Sequence, residues 1–569
     1  MGSPAEFLGP DGRFAARLAG WESRPQQLLM AEVVAHAIRE GRHAVVEAGT
    51  GVGKSLAYLV PAILAATADQ AGGEQETVAS LGPKTPSDRL EPGMADPLDA
   101  DGEDESDADG PSPTEVRRRS GRILISTHTI ALQEQLLTKD IPLVASVMPR
   151  EFSAVLVKGR GNYVSLRRLA LAMERSASLF DDTVEVAELR EIAEWAATTS
   201  DGSRSDLSLL PRESVWDEVR SDSGNCMGRA CPEHGRCHYY AARRRMSRAQ
   251  VLVVNHALFF SDLALRQSGV SLLPSYDVVV FDEAHMVESV AGEHMGVGVS
   301  SGAVERALGK LFNERTHRGL LAHYADSGST EWKLMQLDVL RCRRIADEFF
   351  ESIRAARTAE TSRRDGGDGF GSPWRIRRPH LVADTLSEPL EGVARALRCA
   401  AENIQVDSER HDLLATAERL VVLAGTVRTW LAQGVPGSVW WVEARRSRRG
   451  RERITLASAP VDVGDVLRHT LFSTVGCVVL TSATLAVGGS KDTEADSSAT
   501  DVTDEPSKGV DRDVAGPADE AALGFFRRRL GLENAICRRL GSPFDYRRQA
   551  RLVLVRGMPD PSDVEAFEA

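Results

Sequence analysis

HAVVEAGTGVGKSLAYLVPAILAA, residues 43–66, is the stretch that decides the fold. It opens with an apolar run that predicts a buried β-strand, and LAYLVPAILAA at its end predicts a helix. A glycine-rich turn with the triplet Gly-Lys-Ser lies between them, which is the context of a phosphate-binding loop. Glycines let backbone N–H groups turn inward around phosphate oxygens, so the stretch predicts a nucleotide site.

The residues expected to surround the nucleotide follow one another through this turn. Lys54 is expected to reach the β- and γ-phosphates, and the Ser55 hydroxyl to bind Mg²⁺, so ATP and Mg²⁺ are the predicted cofactors. Ala48 stands where the strict pattern has glycine. The alternative is a glycine-rich turn that binds no ligand. The predicted nucleotide-binding residues of the turn are Ala48, Gly49, Thr50, Gly51, Val52, Gly53, Lys54 and Ser55.

A second candidate site ends another apolar run, DVVVFDEAH at 277–285. A carboxylate pair at the carboxyl end of a strand lies where a parallel α/β sheet presents its chemistry. We expect Asp282 to hold Mg²⁺ and Glu283 to orient or deprotonate the attacking water, so these two and Lys54 are the predicted catalytic residues. His285 would couple this site to the neighbouring motif. The alternative is a solvated helix start that an aspartate caps.

Further apolar runs lie at 122–127, 154–159, 251–256 and 477–485, and helical patterns separate them. Strands that are apolar throughout and alternate with helices predict an α/β fold, with a parallel sheet covered by helices on both faces. Residues 300–440 are instead helical in pattern and predict an inserted, mostly α-helical domain.

Charge is distributed unevenly over the 569 residues, whose net charge is −13. Residues 67–115 contain 14 acidic and 2 basic residues, and residues 490–520 contain 10 acidic and 3 basic ones. Both stretches are poor in aromatic residues and are predicted to be disordered. The remainder is basic, with arginine clusters at 243–248 and 445–453, which fits a polyanion such as DNA as partner, although solvated surface is an equal alternative.

Residues 1–25 have no apolar core of a signal peptide, and no uninterrupted apolar run reaches the roughly 18 residues of a membrane span. We therefore expect a cytoplasmic protein without a membrane partner. Three of the seven cysteines lie in CMGRACPEHGRC, residues 226–237. Because structural disulfides are rare in the cytoplasm, this spacing favours a metal site.

The order of the phosphate loop, STHTIALQEQL (126–136), DEAH and TSATL (481–485) resembles the first motor domain of superfamily 2 helicases. In particular it resembles the DinG/XPD-type iron–sulfur DNA helicases, and among them the bacterial DinG-like branch. The resemblance implies a RecA-like P-loop motor domain with inserted cluster-type and α-helical arch-like domains. It also implies ATP-dependent 5′–3′ translocation, with single-stranded or forked DNA as partner. Residues 127–136 match the motif that touches the DNA backbone.

The resemblance also assigns roles outside the two strand ends. Gln27, in SRPQQLLM, matches the glutamine on the adenine side of the nucleotide. Ser482 and Thr484 would couple the ATP state to the grip on DNA. The implied domains are 1–157 as the first part of motor domain 1 (67–120 being the acidic insertion), 158–250 as the iron–sulfur-type domain, 251–297 as the second motor part, 298–450 as the arch-like domain, 451–489 as the last motor part, 490–520 as an acidic linker, and 521–569 as the start of motor domain 2.

In this family four cysteines hold a 4Fe–4S cluster, and the resemblance places Cys226, Cys231 and Cys237 at the last three positions. Ser165 occupies the first position, and a serine hydroxyl is a poorer ligand than a thiolate. Several alternatives remain open: a cluster with Ser165, water or another donor at the fourth position; loss of stable cluster binding; a zinc ion completed by His234; or thiols with a purely structural role.

The family's second motor lobe supplies an arginine finger, which can be worth roughly 10³–10⁵ in rate. We find no match to its later motifs after SPFDY (542–546), which resembles the entry to that lobe. The expectation is a chain that binds ATP, Mg²⁺ and DNA but unwinds little, unless a partner polypeptide supplies the lobe. Two rivals are a non-catalytic ATP- and DNA-binding remnant and a P-loop ATPase unrelated to nucleic acid.

Overall fold

A computed structural model describes residues 2–68, 121–180, 182–208, 210–266, 270–325, 330–361, 373–446, 452–486, 517–544, 546–551 and 553. Most of the predicted acidic insertion and acidic linker therefore lies outside the described residues. The end of that predicted linker is described, because a helix begins at Pro517.

The described residues form eleven strands in two sheets. In chain order they are β1 (His43–Ala48), β2 (Ile123–Thr127), β3 (Ala154–Leu156), β4 (Val251–Asn255), β5 (Val278–Asp282), β6 (Gly298–Ser300), β7 (Trp374–Ile376), β8 (Ser438–Arg446), β9 (Glu452–Pro460), β10 (Cys477–Ser482) and β11 (Ala535–Leu540).

The larger sheet has seven strands in the order β11-β1-β10-β5-β2-β4-β3, and all of its strand pairs are parallel. Both faces are buried: on β1, Val45 faces one apolar core and Val46 faces the other. The prediction of a parallel α/β sheet covered on both faces is therefore confirmed. The helices that accompany this sheet are Ala5–Leu8, Arg13–Arg17, Pro25–Glu40, Lys54–Ala66, Ile130–Gln135, Ile141–Ala145, His256–Arg266, Val287–Met295, Gly464–Leu467, Pro517–Arg529 and Tyr546–Gln549.

Between β3 and β4 the chain forms a small helical region with its own core around Trp216 and Val164. Its cysteine segment contains only two short 3₁₀ turns, Gly228–Ala230 and His234–Arg236, before a basic helix begins. The helices of this region are Leu166–Glu174, Ser176–Leu179, Thr183–Thr198, Glu213–Val219 and His238–Arg248.

The second inserted region combines helices with the smaller sheet, which is antiparallel in the order β6-β9-β8-β7. This is a correction at the predicted boundary, because β9 lies within 451–489, which the resemblance assigned to the motor. β9 forms a hairpin with β8, and inward residues such as Trp440 and Leu456 complete the helical core. The helices of this region are Ser301–Leu311, Leu320–Ala325, Thr330–Thr361, Ser387–Ala401 and Asp407–Ala432.

The predicted start of motor domain 2 at 521 also differs from the structure. Strand β11 pairs in parallel with β1 along its whole length, from His43 opposite Ala535 to Ala48 opposite Leu540. It therefore forms the edge of the motor sheet, and the motor domain extends at least to Leu540. No helix of the described residues is long and apolar enough to cross a membrane.

Candidate functional site

The phosphate loop leaves β1 and ends where the helix Lys54–Ala66 begins. Gly51 and Gly53 adopt left-handed backbone angles, with φ of +86° and +81°. A β-carbon on Gly51 would collide with the ring of Phe544, and one on Gly53 with the amide of Gln27. Because residues with a side chain rarely adopt such left-handed angles, the backbone at these two positions favours glycine.

Two side chains from the start of the helix Pro25–Glu40 brace this loop. The Gln27 amide is buried and donates a hydrogen bond to the Gly53 carbonyl at 3.0 Å. Arg24 donates to the Gly51 carbonyl at 2.5 Å. In this structure Gln27 therefore holds the loop, and its contact with an adenine base stays a prediction.

Asp282, at the end of β5, lies opposite the start of the P-loop helix. The Tyr58 hydroxyl donates to its Oδ2 at 3.2 Å, and Ser55 also acts on that hydroxyl. Burial and the neighbouring Glu283 raise the pKa of Asp282 to about 6, while Lys54 and Tyr58 oppose the rise. The two predicted Mg²⁺ ligands, Ser55 and Asp282, thus meet around one buried tyrosine, close enough to Lys54 to feel its charge.

Glu283 joins the carboxylate pair to the neighbouring strand β10. The Ser482 hydroxyl lies 3.3 Å from Glu283 Oε2 and 2.9 Å from Nδ1 of His285, and that nitrogen lies 3.4 Å from Glu283 Oε2. Strand register explains the meeting, because Thr481 of β10 pairs with Asp282 of β5. The exposed Thr484 directs its backbone N–H at Ser482 Oγ over 3.5 Å. The structure therefore brings together the predicted water-orienting and coupling residues.

Sequence reasoning missed Glu47, the charged residue of β1. Its carboxylate accepts hydrogen bonds from the backbone N–H groups of Leu485 and Ala486, both at 2.6 Å, and from Arg539 Nε at 3.1 Å. Burial acts to raise the pKa of Glu47, but these donors outweigh it and hold the pKa below its ordinary value. A lone carboxylate in an otherwise apolar strand is the signal that could have identified it.

The segment after β11 lies directly on the phosphate loop. The Gly49 N–H donates to the Leu540 carbonyl at 3.2 Å, and the Ser542 hydroxyl donates to the Thr50 carbonyl at 3.2 Å. The resemblance predicted this segment to be an entry to another domain. In this structure it also covers one side of the nucleotide loop.

The predicted DNA-side motif begins at the end of β2, on the same edge of the sheet as Asp282. The Thr129 hydroxyl caps the helix Ile130–Gln135 by accepting from the Leu132 N–H at 3.3 Å. His128 and Ile130 are exposed, and 66% of Ile130 is accessible to solvent. This places the motif on the surface beside the carboxylate pair.

The three clustered cysteines and Ser165 line one open pocket. Cys226 and Cys237 pack against a group of tyrosines, and the ring of His234, also at this pocket, lies 4.6 Å from that of Tyr240. Burial raises the pKa of Cys237. The predicted ligand residues therefore share one pocket, although they are separated by about sixty residues of chain.

Ser165 has a second role that the sequence comparison did not suggest. Its side chain caps the helix Leu166–Glu174 by accepting a hydrogen bond from the Arg168 N–H at 3.4 Å. Within the described part of the chain, no group of three or more His, Cys, Asp or Glu side chains is arranged to hold a metal ion. The thiol chemistry suits iron or zinc, but the geometry does not present a formed site.

Comparisons with known proteins relate the chain to helicases. A sequence profile of the DEAD_2 family matches residues 223–304, which contain the cysteine segment and the DEAH motif. The ATP-dependent DNA helicase YoaA of Escherichia coli is 28% identical over 97% of this chain and 69% of its own length. The ATP-dependent helicase DinG of Mycobacterium tuberculosis H37Rv is 30% identical over 90% of this chain and 66% of its own length.

The chain thus spans about two thirds of the length of these curated relatives. The solved structure of S. tokodaii Xpd4 aligns over 81% of this chain and 58% of its own, with 11% identity and a TM-score of 0.34, too low to compare individual residues. The prediction of a helicase-type enzyme is confirmed at the level of the family. The chain belongs to the DinG/XPD-type helicase family.

Proposed function

We propose that this chain is the motor part of an ATP-dependent DNA helicase of the DinG-like type, which couples ATP hydrolysis to 5′–3′ translocation on single-stranded DNA. The observation that carries the proposal is the contact of Ser482 with both Glu283 and His285. It joins the carboxylate expected to activate water to the strand end that the family uses to sense DNA. The name of the E. coli relative, an ATP-dependent DNA helicase, supports DNA as the substrate.

Each residue of the site has a task in this proposal. The loop N–H groups and Lys54 bind the phosphates, and Gln27 and Arg24 keep the loop in its binding shape. Ser55 and Asp282 would hold Mg²⁺, which would supply positive charge to neutralise the phosphates. Glu283 orients the attacking water and accepts its proton.

On the DNA side, the exposed segment 127–130 and the basic helix His238–Arg248 would contact phosphates without reading sequence. We also propose that Cys226, Cys231 and Cys237 bind an iron–sulfur cluster, supported by their shared pocket. Iron and sulfide analysis of anaerobically purified protein tests this. A colourless protein with one zinc ion per chain would overturn it and favour the set completed by His234. That a partner polypeptide supplies a second motor lobe stays a prediction.

The test of the proposed function uses Lys54→Ala, with Lys333→Ala as control because Lys333 is exposed on a helix of the second inserted region. We expect the wild-type chain to bind Mg²⁺–ATP and to hydrolyse it faster when single-stranded DNA is added. Lys54→Ala should reduce hydrolysis on the order of 10²-fold, since it removes a charge from the phosphates. Lys333→Ala should behave as wild type.

Each rival predicts a different result in the same assay. Binding of ATP without hydrolysis, with or without DNA, would contradict the catalytic proposal and favour a non-catalytic binding protein. Hydrolysis that ignores DNA, together with no salt-dependent DNA binding, would favour a P-loop ATPase that does not act on nucleic acid.

A further inference from the structure

A buried histidine lies between the DNA-side segment and the catalytic carboxylates. His256 follows β4, begins the helix His256–Arg266 and is 1% exposed. Strand β2 lies between β4 and β5 in the sheet, so a side chain at this strand end can reach both neighbouring motifs. We propose that His256 is a positioning residue that couples DNA contact at the end of β2 to the carboxylates at the end of β5.

The His256 ring contacts residues at the end of β2 and residues at the end of β5. Its Nδ1 lies 2.7 Å from the hydroxyl of Ser126, the residue of β2 next to the predicted DNA-side motif. The ring centre lies 6.0 Å from that of the exposed His128 and 5.7 Å from that of Phe281, which precedes Asp282. His256 therefore contacts residues on both strand ends.

The second ring nitrogen of His256, Nε2, is buried without a bonded acceptor among the described residues. Burial and, next, His128 lower the pKa of His256 to about 4, while the backbone carbonyls of Asp282 and Glu283 act in the opposite direction. Nε2 is buried, and among the described residues no atom meets hydrogen-bond geometry with it. Nε2 is therefore the ring nitrogen that is free to bind a backbone carbonyl of the adjacent DEAH segment, whose Phe281 the ring already contacts.

The direction of the hydrogen bonds follows from this arrangement. A carbonyl oxygen can only accept, so Nε2 must carry the proton if it is to bind either carbonyl. Nδ1 of the neutral ring is then an acceptor, and the Ser126 hydroxyl donates to it. If bound DNA displaced β2, the Ser126 hydroxyl would move with the strand and shift the His256 ring. The shifted ring would in turn change its contact with the backbone of the DEAH segment.

That backbone is where a small displacement would matter. Glu283 has a left-handed φ of +56°, which a residue with a side chain adopts at a cost. The orientation of its peptide decides where the Glu283 carboxylate points. A bond from Nε2 to the carbonyl of Asp282 or Glu283 would hold this conformation, which gives the coupling two discrete states.

The test measures linkage rather than turnover, and it rests on the proposed function only in needing ATP and DNA to bind. For the full chain, the dissociation constant of a single-stranded oligonucleotide is measured with and without a non-hydrolysable Mg²⁺–ATP analogue. The ratio of the two constants is the coupling factor. We expect it to lie within the usual 5–150-fold range in wild type and near one in His256→Phe. Affinities for each ligand alone should change less than about threefold.

Two further variants separate positioning from folding. His256→Gln keeps an N–H near the place of Nε2 and should retain part of the coupling, whereas Ser126→Ala should reduce it with the ring still present. The matched control is His294→Phe, because His294 also pairs with a serine, Ser261, through Nδ1 at 3.1 Å, farther along the helices His256–Arg266 and Val287–Met295.

The outcomes are distinct. A wild-type coupling factor that survives in His256→Phe and in Ser126→Ala overturns the proposal, and so does a wild-type factor of one. An equal loss of coupling in His294→Phe would show general loosening and would also overturn it. A wild-type chain that binds neither ligand refutes the proposed function itself, and the coupling proposal falls with it.

Discussion

The nucleotide site and the cysteine site differ in what holds their side chains in place. At the nucleotide site, Asp282 and Ser482 end adjacent parallel strands, and the register that pairs Thr481 with Asp282 sets their distance. At the cysteine site, Cys231 and Cys237 each directly follow a short 3₁₀ turn, and Cys226 lies in the loop before the first turn. The sheet itself therefore sets the positions of the side chains at the first site.

At the cysteine site, by contrast, the fold does not set the ligand geometry by itself. Its thiols face one pocket, yet the described residues do not gather them into a metal-binding arrangement. Metal binding often supplies the energy that orders its own ligands, since a preformed site rarely exists in the unfolded chain. We therefore expect a substitution at the cysteine site to lower the metal content of the protein. A substitution at the nucleotide site should instead lower the rate of ATP hydrolysis.

The largest effect should follow from Glu283→Gln. An amide cannot accept the proton of the attacking water, so DNA-stimulated hydrolysis should fall on the order of 10²–10³-fold. Binding of Mg²⁺–ATP should persist, because Lys54, Ser55 and Asp282 remain. Rates from phosphate release and affinities from calorimetry check the two parts separately.

Glu293→Gln is the matched control, since it makes the same change at an exposed position on the helix that follows the DEAH segment. Hydrolysis that stays within a few-fold of wild type in Glu283→Gln would remove that residue from its proposed role.

At the cysteine site, Cys231→Ser should lower the iron content per chain roughly tenfold or more after anaerobic purification, because a thiolate ligand is lost. Cys399→Ser changes an exposed cysteine outside the pocket and should leave the iron content unchanged. ATP binding should be equal in both variants, since the two sites use different elements. Equal iron in both variants would contradict the proposed cluster.

The sequence predicted the motor sheet well because its strands are continuous apolar runs, such as Val278–Asp282, with no competing period. The prediction of a phosphate-binding loop rests on one short stretch, and the structure places that stretch between β1 and the helix Lys54–Ala66. The sequence could not predict the role of Glu47, whose partners at Leu485, Ala486 and Arg539 lie more than 400 residues away.

The errors concern regions where a boundary depends on long-range pairing. Strand β9 has an alternating pattern that fits either neighbour, and only its pairing with β8 places it in the smaller sheet. Strand β11 follows the helix Pro517–Arg529, and its membership of the motor sheet depends on its pairing with β1. Ser165 is ambiguous for a local reason, because a serine before a helix is both a candidate ligand and a common cap.

Glu47→Gln sharpens the account of the nucleotide site. Loss of a charged acceptor for two N–H groups and an arginine should lower the free energy of unfolding by about 1–2 kcal/mol. The native pKa of Glu47 lies below its ordinary value, so its contribution is full above the unfolded pKa and is lost as the pH falls through the native pKa. Denaturant unfolding at neutral and acidic pH tests both statements. Glu32→Gln, at an exposed helix position, should show neither effect.

The smallest effect separates the two roles of Ser165. As a helix cap, Ser165→Ala should cost about 1 kcal/mol of stability whether or not metal is bound. Ser300→Ala is the matched change, because Ser300 caps the helix Ser301–Leu311 through the Ala303 N–H at 3.2 Å.

If Ser165 only caps its helix, both alanine variants lose similar stability in denaturant unfolding and keep the iron content of wild type. A fall in iron in Ser165→Ala alone would make Ser165 a ligand, and Ser165→Cys should then raise the iron content above wild type. Cysteine is not among the preferred caps, so Ser165→Cys also loses the hydrogen bond from the Arg168 N–H. The free energy gained by binding the cluster would have to exceed the stability lost with that hydrogen bond. A cysteine variant that loses stability without gaining iron would leave the serine as a cap beside a three-thiol site.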